Sequence, residues 1–170
     1  MGRVEVFEAR LVDGAVVVED RSHAEALARE GYGAPLREGL ELDPLEALYL
    51  AYRGRLVVRD TGGRRLGFEE LVETLSRHDD MLWVRFTVYH DLRSRGRRVS
   101  RGPAPGSLVY TGPDGRIEVY VLEESRMTSL NEVMEYIDAS TRNDRVPVLA
   151  IVDRHGDVTY YSINRFQPGG

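Results

Sequence analysis

The sequence predicts an α/β fold of the α+β type, in which two small units each combine strands and helices. Short runs rich in Val, Ile and Tyr are interspersed with longer runs whose apolar residues recur at helical spacing. Turn signals containing Gly, Pro or Asp separate these runs. The chain has 170 residues, of which 42% are hydrophobic. That length is sufficient for two units that each bury a core.

The first unit, residues 1–80, is expected to open with two strands over residues 4–18, joined at an Asp-Gly turn. A helix follows, for which Ser22 is the expected N-cap. Glu25 stands three residues later, as in a capping box, and Gly31 is a stop signal.

The second helix of this unit has stronger boundaries. Asp43 is the expected cap, Pro44 occupies the first helical position and Gly54 ends the helix. The pattern then predicts a strand at residues 55–60 and a third helix at residues 67–77.

The second unit, residues 81–170, begins after the polar segment Arg-His-Asp-Asp. Its predicted elements are a helix over 81–96, strands over 107–122 that turn at 112–115, a helix over 128–142, a strand over 146–153 and a last strand over 158–166. The strand over 146–153 is apolar almost throughout, which is typical of a strand covered on both faces.

Composition excludes several classes of site. The chain has no cysteine, so disulfides and thiolate metal sites are ruled out. All 23 basic residues are arginine, so no mechanism that needs an ammonium side chain can run within this polypeptide. The absence of a membrane-spanning run or signal pattern predicts a soluble, cytoplasmic protein without a membrane partner.

The charge is uneven along the chain. The formal net charge of −5 divides into −6 for residues 1–80, with 11 Arg and 17 Asp or Glu, and +1 for residues 81–170, with 12 Arg and 11 Asp or Glu. Five arginines fall between Arg93 and Arg101, beyond a predicted helix end. They form either a phosphate-binding patch or a solvated group that favours the helix C-terminus.

Spacing alone does not reveal a catalytic or metal site. His23, His78, His90 and His155 do not pair at i, i+4, and no further ligands stand at metal-binding spacing. Phosphate-binding glycine loops and nucleophile motifs are also absent. We therefore expect no metal and no cofactor.

Several phrases together resemble the archaeal tRNA-splicing (tRNA-intron) endonuclease family. LDPLEALYLAYRGRLVV at residues 42–58 is similar to the family's N-terminal domain, and YHDLRSRGRRV at 89–99 to the helix end that leads into its catalytic domain. VLAIVDRHGDVTYYSINR at 148–165 is similar to its final strand pair. The resemblance implies a small N-terminal mixed α/β domain and a C-terminal nuclease-like domain with a central mixed sheet flanked by helices.

The resemblance also implies an activity, which is metal-free cleavage of precursor tRNA at both intron–exon junctions. A tyrosine acts as base, a histidine as acid and a lysine stabilises charge, and the products are a 2′,3′-cyclic phosphate and a 5′-hydroxyl. Here Pro105 occupies the tyrosine position and Arg145 the lysine position. Residues 115–117, in the histidine neighbourhood, contain no histidine.

This pattern of losses resembles the family's non-catalytic structural subunit, which pairs with a catalytic subunit in an (αβ)2 heterotetramer. Precursor tRNA would then be a partner through the complex. Arg93, Arg95 and Arg165 are the predicted RNA-binding residues, while Asp138 stands where the family has a base-clamping arginine. The predicted subunit interface comprises two acids of a hairpin loop and four residues of the last strand: Asp114, Glu118, Val158, Tyr160, Tyr161 and Ile163.

Three alternatives remain open from the sequence. Tyr160 and Tyr161 fit the core of their own domain as well as an interface. An active RNase with a rebuilt site would draw on His90, Tyr110, Arg116 and Arg145. A stand-alone RNA-binding module would use the arginines between residues 93 and 101.

Overall fold

A computed structural model describes residues 5–164 and 166–169 of the chain. The protein forms two compact units that meet in sequence between Phe86 and Thr87, a few residues beyond the predicted boundary at 80 and 81. The mixture of helices and mixed sheets confirms the predicted α+β class.

The first unit contains a five-stranded sheet and three helices before the helix at the boundary. Its elements are β1 (Phe7–Val12), β2 (Ala15–Val18), α1 (Arg21–Arg29), β3 (Ala34–Pro35), β4 (Leu40–Leu42), α2 (Pro44–Tyr52), β5 (Leu56–Arg59) and α3 (Phe68–Ser76). The sheet order is β3-β4-β2-β1-β5, and only β1 and β5 run parallel. The sequence patterns missed the short strands β3 and β4.

Local sequence explains where these helices begin. The Asp43 side chain accepts a hydrogen bond from the Leu45 backbone N–H, as expected of the cap, and Glu46 completes a capping box. Helix α1 differs from the prediction, because Asp20 rather than Ser22 caps it by accepting from the His23 N–H at 2.9 Å. Both residue types suit an N-cap, so spacing alone could not decide between them.

Helix α4 (Leu82–Ser94) contributes to both units, and the second unit continues with β6 (Ser100–Arg101), β7 (Ser107–Gly112), β8 (Gly115–Glu123), α5 (Leu130–Arg142), β9 (Arg145–Val152) and β10 (Val158–Ser162). The sheet order is β10-β9-β8-β7-β6, in which only β8 and β9 run parallel. Strand β10 therefore forms one edge of the sheet. Helix α4 ends at Ser94, two residues before the predicted 96, and β10 ends at Ser162.

Helices contact both faces of this second sheet. The Tyr160 hydroxyl donates a hydrogen bond of 2.7 Å to Asp91 of α4. On the other face, the rings of Tyr120 and Tyr136 stack with centroids 4.8 Å apart, which places α5 against β8. Strand β9 lies between β10 and β8 and buries Pro147 on one face and Ala150 on the other, as its apolar run predicts.

Candidate functional site

The buried carboxylate of Glu118 holds the loop that carries Pro105 in place. Residues 102–106 connect β6 to β7, and Pro105 itself is exposed. The Glu118 side chain, on β8, accepts hydrogen bonds from the Ser107 hydroxyl at 2.8 Å and from the Ala104 backbone N–H at 3.4 Å. The Ser107 hydroxyl lies 3.0 Å from the Ala104 carbonyl. These contacts give the loop a defined shape without placing a proton acceptor at position 105.

Arg145 completes this cluster from β9. Its Nε donates to the second carboxylate oxygen of Glu118 at 2.8 Å, and the two side chains are 13% and 2% exposed. A guanidinium paired this closely with a buried carboxylate has its charge neutralised locally. Arg145 is therefore poorly placed to stabilise charge on a phosphate.

Glu118 remains ionised although it is buried. Burial by itself would raise the pKa of the Glu118 carboxyl, but the hydrogen bonds from Ser107 and Arg145 and the charge of the guanidinium outweigh it. The pKa consequently lies below the ordinary value of 4.5. The cluster is thus an internal ion pair rather than an acid–base system poised near neutral pH.

Residues 115–117, where the resemblance places the family's histidine, lie at the start of β8. None of them has a side chain that can act as a general acid. Gly115 has φ +119, a backbone conformation that glycine adopts easily as the strand leaves the turn. Arg116 is exposed, and Ile117 is half-buried beside Tyr110 of β7. A guanidinium is always protonated and cannot act as a general acid at neutral pH.

Three residues of the rebuilt-site alternative lie on the second sheet but do not share a face of it, and the fourth, His90, lies on α4. Tyr110 pairs with Ile117, whereas Arg116 is the next residue along β8, so the two side chains point to opposite faces. Arg145 pairs with Arg116 and lies on the same face as it, opposite Tyr110. A phenol and the two guanidiniums therefore cannot converge on one phosphodiester within this unit.

The arginine-rich segment is partly engaged within the chain. Arg95 forms an ion pair of 2.9 Å with Asp91, which also accepts the hydrogen bond from Tyr160. The Arg97 guanidinium lies over the Tyr110 ring, 5.6 Å from its centroid. Arg93 also makes a contact within the chain. The last predicted RNA contact, Arg165, lies outside the described residues.

Asp91 and Tyr160 hold each other in fixed protonation states. Burial and the hydrogen bond to Asp91 raise the pKa of the Tyr160 phenol well above 10.0. Burial would raise the pKa of Asp91, yet the hydrogen bonds from Arg95 and Tyr160 lower it overall. This phenol is a structural donor rather than a base.

The predicted interface residues divide into surface and interior groups. Asp114 is exposed at the tip of the two-residue turn between β7 and β8, as expected, and Tyr161 is 51% exposed on edge strand β10. Val158 and Ile163 are half-buried. Glu118 requires a correction, because it lies inside β8 and binds Arg145 instead of extending the acidic loop surface.

Tyr160 and Tyr161 behave differently because neighbouring strand residues point to opposite faces. Tyr160 is half-buried and bound to Asp91 of its own unit. For Tyr160, the alternative of an internal packing role is therefore the better description, while Tyr161 remains accessible on the edge strand.

Sequence reasoning missed two members of this region. Ser107 is a buried hydrogen-bond donor to Glu118, and the Tyr136 hydroxyl donates to the Glu118 carbonyl at 2.5 Å and accepts from the Val148 N–H at 3.2 Å. Burial raises the pKa of Tyr136. Glu118 shares its face of β8 with the exposed Arg116, so the alternation of the strand gave no signal that Glu118 is an internal residue.

Within residues 5–164 and 166–169, no group of three His, Cys, Asp or Glu side chains is arranged to hold a metal ion. Helices long and apolar enough to cross a membrane are likewise absent from that part of the chain.

Comparisons with known proteins cover nearly all of the chain. Residues 7–72 match the family model "tRNA intron endonuclease, N-terminal domain", and residues 82–160 match "tRNA intron endonuclease, catalytic C-terminal domain". An EndA-like protein of Methanopyrus kandleri is 37% identical over 91% of this chain and 94% of its own length. A tRNA-splicing endonuclease of Methanococcus vannielii is 32% identical over 91% and 92%.

A longer protein is also similar to nearly the whole of this chain. The tRNA-splicing endonuclease of Methanococcoides burtonii is 32% identical over 94% of this chain, which spans only 46% of that protein. Both units therefore have counterparts in proteins of one family, in the same order along the chain. The chain belongs to the tRNA intron endonuclease family.

Proposed function

We propose that this chain is the structural, non-catalytic subunit of a tRNA-splicing endonuclease. The observation that carries the proposal is the state of the three catalytic positions. Proline stands at position 105, residues 115–117 contain no histidine, and Arg145 is paired with a buried carboxylate. A base, an acid and an available cation are thus all missing where a phosphodiester would have to react.

The proposed partner is a catalytic subunit of the same family, in an (αβ)2 heterotetramer. Strand β10 supports this role because it is a sheet edge that presents unpaired backbone groups and the exposed Tyr161 ring. Such an edge needs a partner strand or some other protection. Asp114, exposed on its turn, is the second proposed contact and would enter a basic groove on the neighbouring subunit.

The assembled enzyme would cleave precursor tRNA at both intron–exon junctions and leave 2′,3′-cyclic phosphate and 5′-hydroxyl ends. In this arrangement the present chain sets the separation of the two catalytic partners. Two cuts at a set separation on one RNA require such spacing. The names of the relatives, tRNA-splicing endonucleases, support this choice of reaction and substrate.

Cleavage of an intron-containing precursor tRNA tests the proposal. The purified chain alone should leave the RNA intact, and addition of a family member that retains the tyrosine, histidine and lysine should give cuts at both junctions. As a control, the same partner with its histidine replaced by alanine should form the complex but fail to cleave. Cleavage by this chain alone, or by the complex with the disabled partner, would contradict the proposal.

A further inference from the structure

An open groove on the first unit is lined by aromatic and acidic side chains. It has a volume of about 370 Å³, at the lower end of the range for small ligand sites. Its lining residues are Phe68, Glu69, Val72, Glu73 and Trp83. Helix α3 supplies the first four, and α4 supplies the tryptophan.

The apolar wall of the groove belongs to a cluster of aromatic rings. The Trp83 ring lies 6.4 Å from that of Phe68 and 5.3 Å from that of Phe86, and Tyr52 of α2 packs against both phenylalanines. Three helices therefore hold the rings in place. Trp83 is nevertheless 50% exposed, so the large ring is supported by the cluster and still accessible to a partner.

The chain between α3 and α4 is also fixed. Asp79 forms an ion pair with Arg85, and its carboxylate accepts a hydrogen bond from the Met81 N–H at 3.1 Å. The backbone N–H of Leu82 bonds to the Asp79 carbonyl at 3.1 Å. The groove wall that Trp83 forms is thus set before any partner arrives, which lowers the entropic cost of binding.

The rim of the groove carries two uncompensated negative charges. Glu69 and Glu73 are four residues apart on α3, so both carboxylates lie on one side of the helix. Both are exposed, and within the described part of the chain neither makes an ion pair. Like charges at this spacing destabilise a helix slightly. By contrast, the neighbouring Glu70 is neutralised by Arg64 at 2.6 Å.

We propose that this groove binds an arginine-bearing surface segment of a protein partner. The guanidinium would stack on the exposed Trp83 ring and lie between the carboxylates of Glu69 and Glu73. An aromatic face attracts a cation through its quadrupole, and tryptophan does so best. Carboxylates add charge-assisted hydrogen bonds, and the fork of a guanidinium suits them better than an ammonium does.

Charge complementarity favours a basic protein segment over RNA. A base could stack on the indole, but its phosphates would approach two carboxylates on a unit whose first 80 residues carry a net charge of −6, from 11 Arg and 17 Asp or Glu. The proposal concerns the first unit alone. It is independent of the catalytic role assigned to the second unit.

The tryptophan itself provides the measurement, because Trp83 is the only tryptophan in the chain. An acetylated Gly-Arg-Gly-Arg-Gly amide is titrated into the full chain at low ionic strength while tryptophan fluorescence is followed. We expect a saturable change that weakens with added salt. The same peptide with citrulline in place of arginine keeps the shape but lacks the charge, and it should bind markedly less.

Matched variants assign the effect to the groove. The variant E69Q/E73Q should bind the arginine peptide about three- to ten-fold more weakly, as expected for loss of two exposed charge contacts. The variant E124Q/E135Q removes two exposed carboxylates of the second unit and changes the net charge equally, so it should bind normally.

Three outcomes would overturn the proposal: no fluorescence change up to millimolar peptide, equal binding of the citrulline peptide, or equal loss in the two double variants. In the last measurement, a single-stranded RNA oligonucleotide is titrated into the same protein in place of the peptide. If it perturbed Trp83 more strongly than the peptide and bound E69Q/E73Q more tightly, the groove would be an RNA site, and the protein-segment proposal would be wrong.

Discussion

At the scale of the residue, Glu118 and Arg145 form a buried ion pair next to the loop that carries Pro105. The two side chains of the pair are almost fully buried. Its carboxylate also holds Ser107 and the Ala104 backbone, so it fixes the shape of the loop. Removing one partner would leave the other charge buried without compensation, which costs far more than losing an exposed pair.

We therefore expect E118Q to lower the free energy of unfolding by roughly 3 kcal/mol, measured by urea denaturation at pH 7. The double variant E118Q/R145M should lose less than the sum of the single variants, because no unpaired charge remains. E70Q, which breaks the exposed pair with Arg64, is the matched control and should change stability much less.

The difference in unfolding free energy between wild type and E118Q should depend on pH. Because the folded-state pKa of Glu118 lies below 4.5, its ionised form stabilises the protein above that pH. This contribution is lost as the pH falls through the folded-state pKa. The difference between wild type and E118Q should thus be largest near neutrality and shrink below pH 4.5. A difference that grew in acid would contradict the assignment.

The residue patterns predicted turns and helix caps well. They predicted less well which side chains interact. The turn at residues 112–115 and the cap at Asp43 follow from local chemistry, and the structure contains both. Glu118 was misassigned to a loop surface because a pairing with Arg145, 27 residues away, has no local signature. Long-range ion pairs depend on strand register, which the sequence pattern alone did not supply.

At the scale of the element, strand β10 combines an internal role with an external one. Its half-buried Tyr160 attaches the strand to α4 through Asp91, while Tyr161 is exposed on the opposite face. The alternation of the strand was predictable from the sequence, whereas the anchoring of Tyr160 was not, since Asp91 lies 69 residues away. The edge is therefore held in place by its own unit and remains open to another chain.

This arrangement predicts that Y161D weakens assembly with the proposed catalytic subunit. A tyrosine at the centre of an interface contributes about 2 kcal/mol or more, so the dissociation constant should rise by about 30-fold or more, measured by light scattering or analytical ultracentrifugation. L130D introduces the same charge at an exposed leucine of α5 and should assemble normally. Normal assembly of Y161D would exclude β10 from the interface.

At the scale of the whole molecule, the chain matches the N-terminal and the catalytic C-terminal domain models of one family, in that order. The elements that the sequence predicted most directly were the helices with strong caps and the long apolar strand. The short strands β3 and β4 escaped detection because two or three residues carry too little periodicity. The division near Phe86 carries no turn signal, since helix α4 is continuous across it.

If the chain is a structural subunit, as we propose, the assembled complex should tolerate loss of each of its candidate reactive side chains. In the assembled complex, H90A, Y110F and R116A should each leave the single-turnover rate of precursor tRNA cleavage within about two-fold of wild type, because general acid–base catalysis typically contributes about 100-fold or more. Register supports this expectation, since Tyr110 and Arg116 point to opposite faces of the sheet. A fall of 100-fold in any one variant, with assembly unchanged, would instead place a rebuilt active site in this chain.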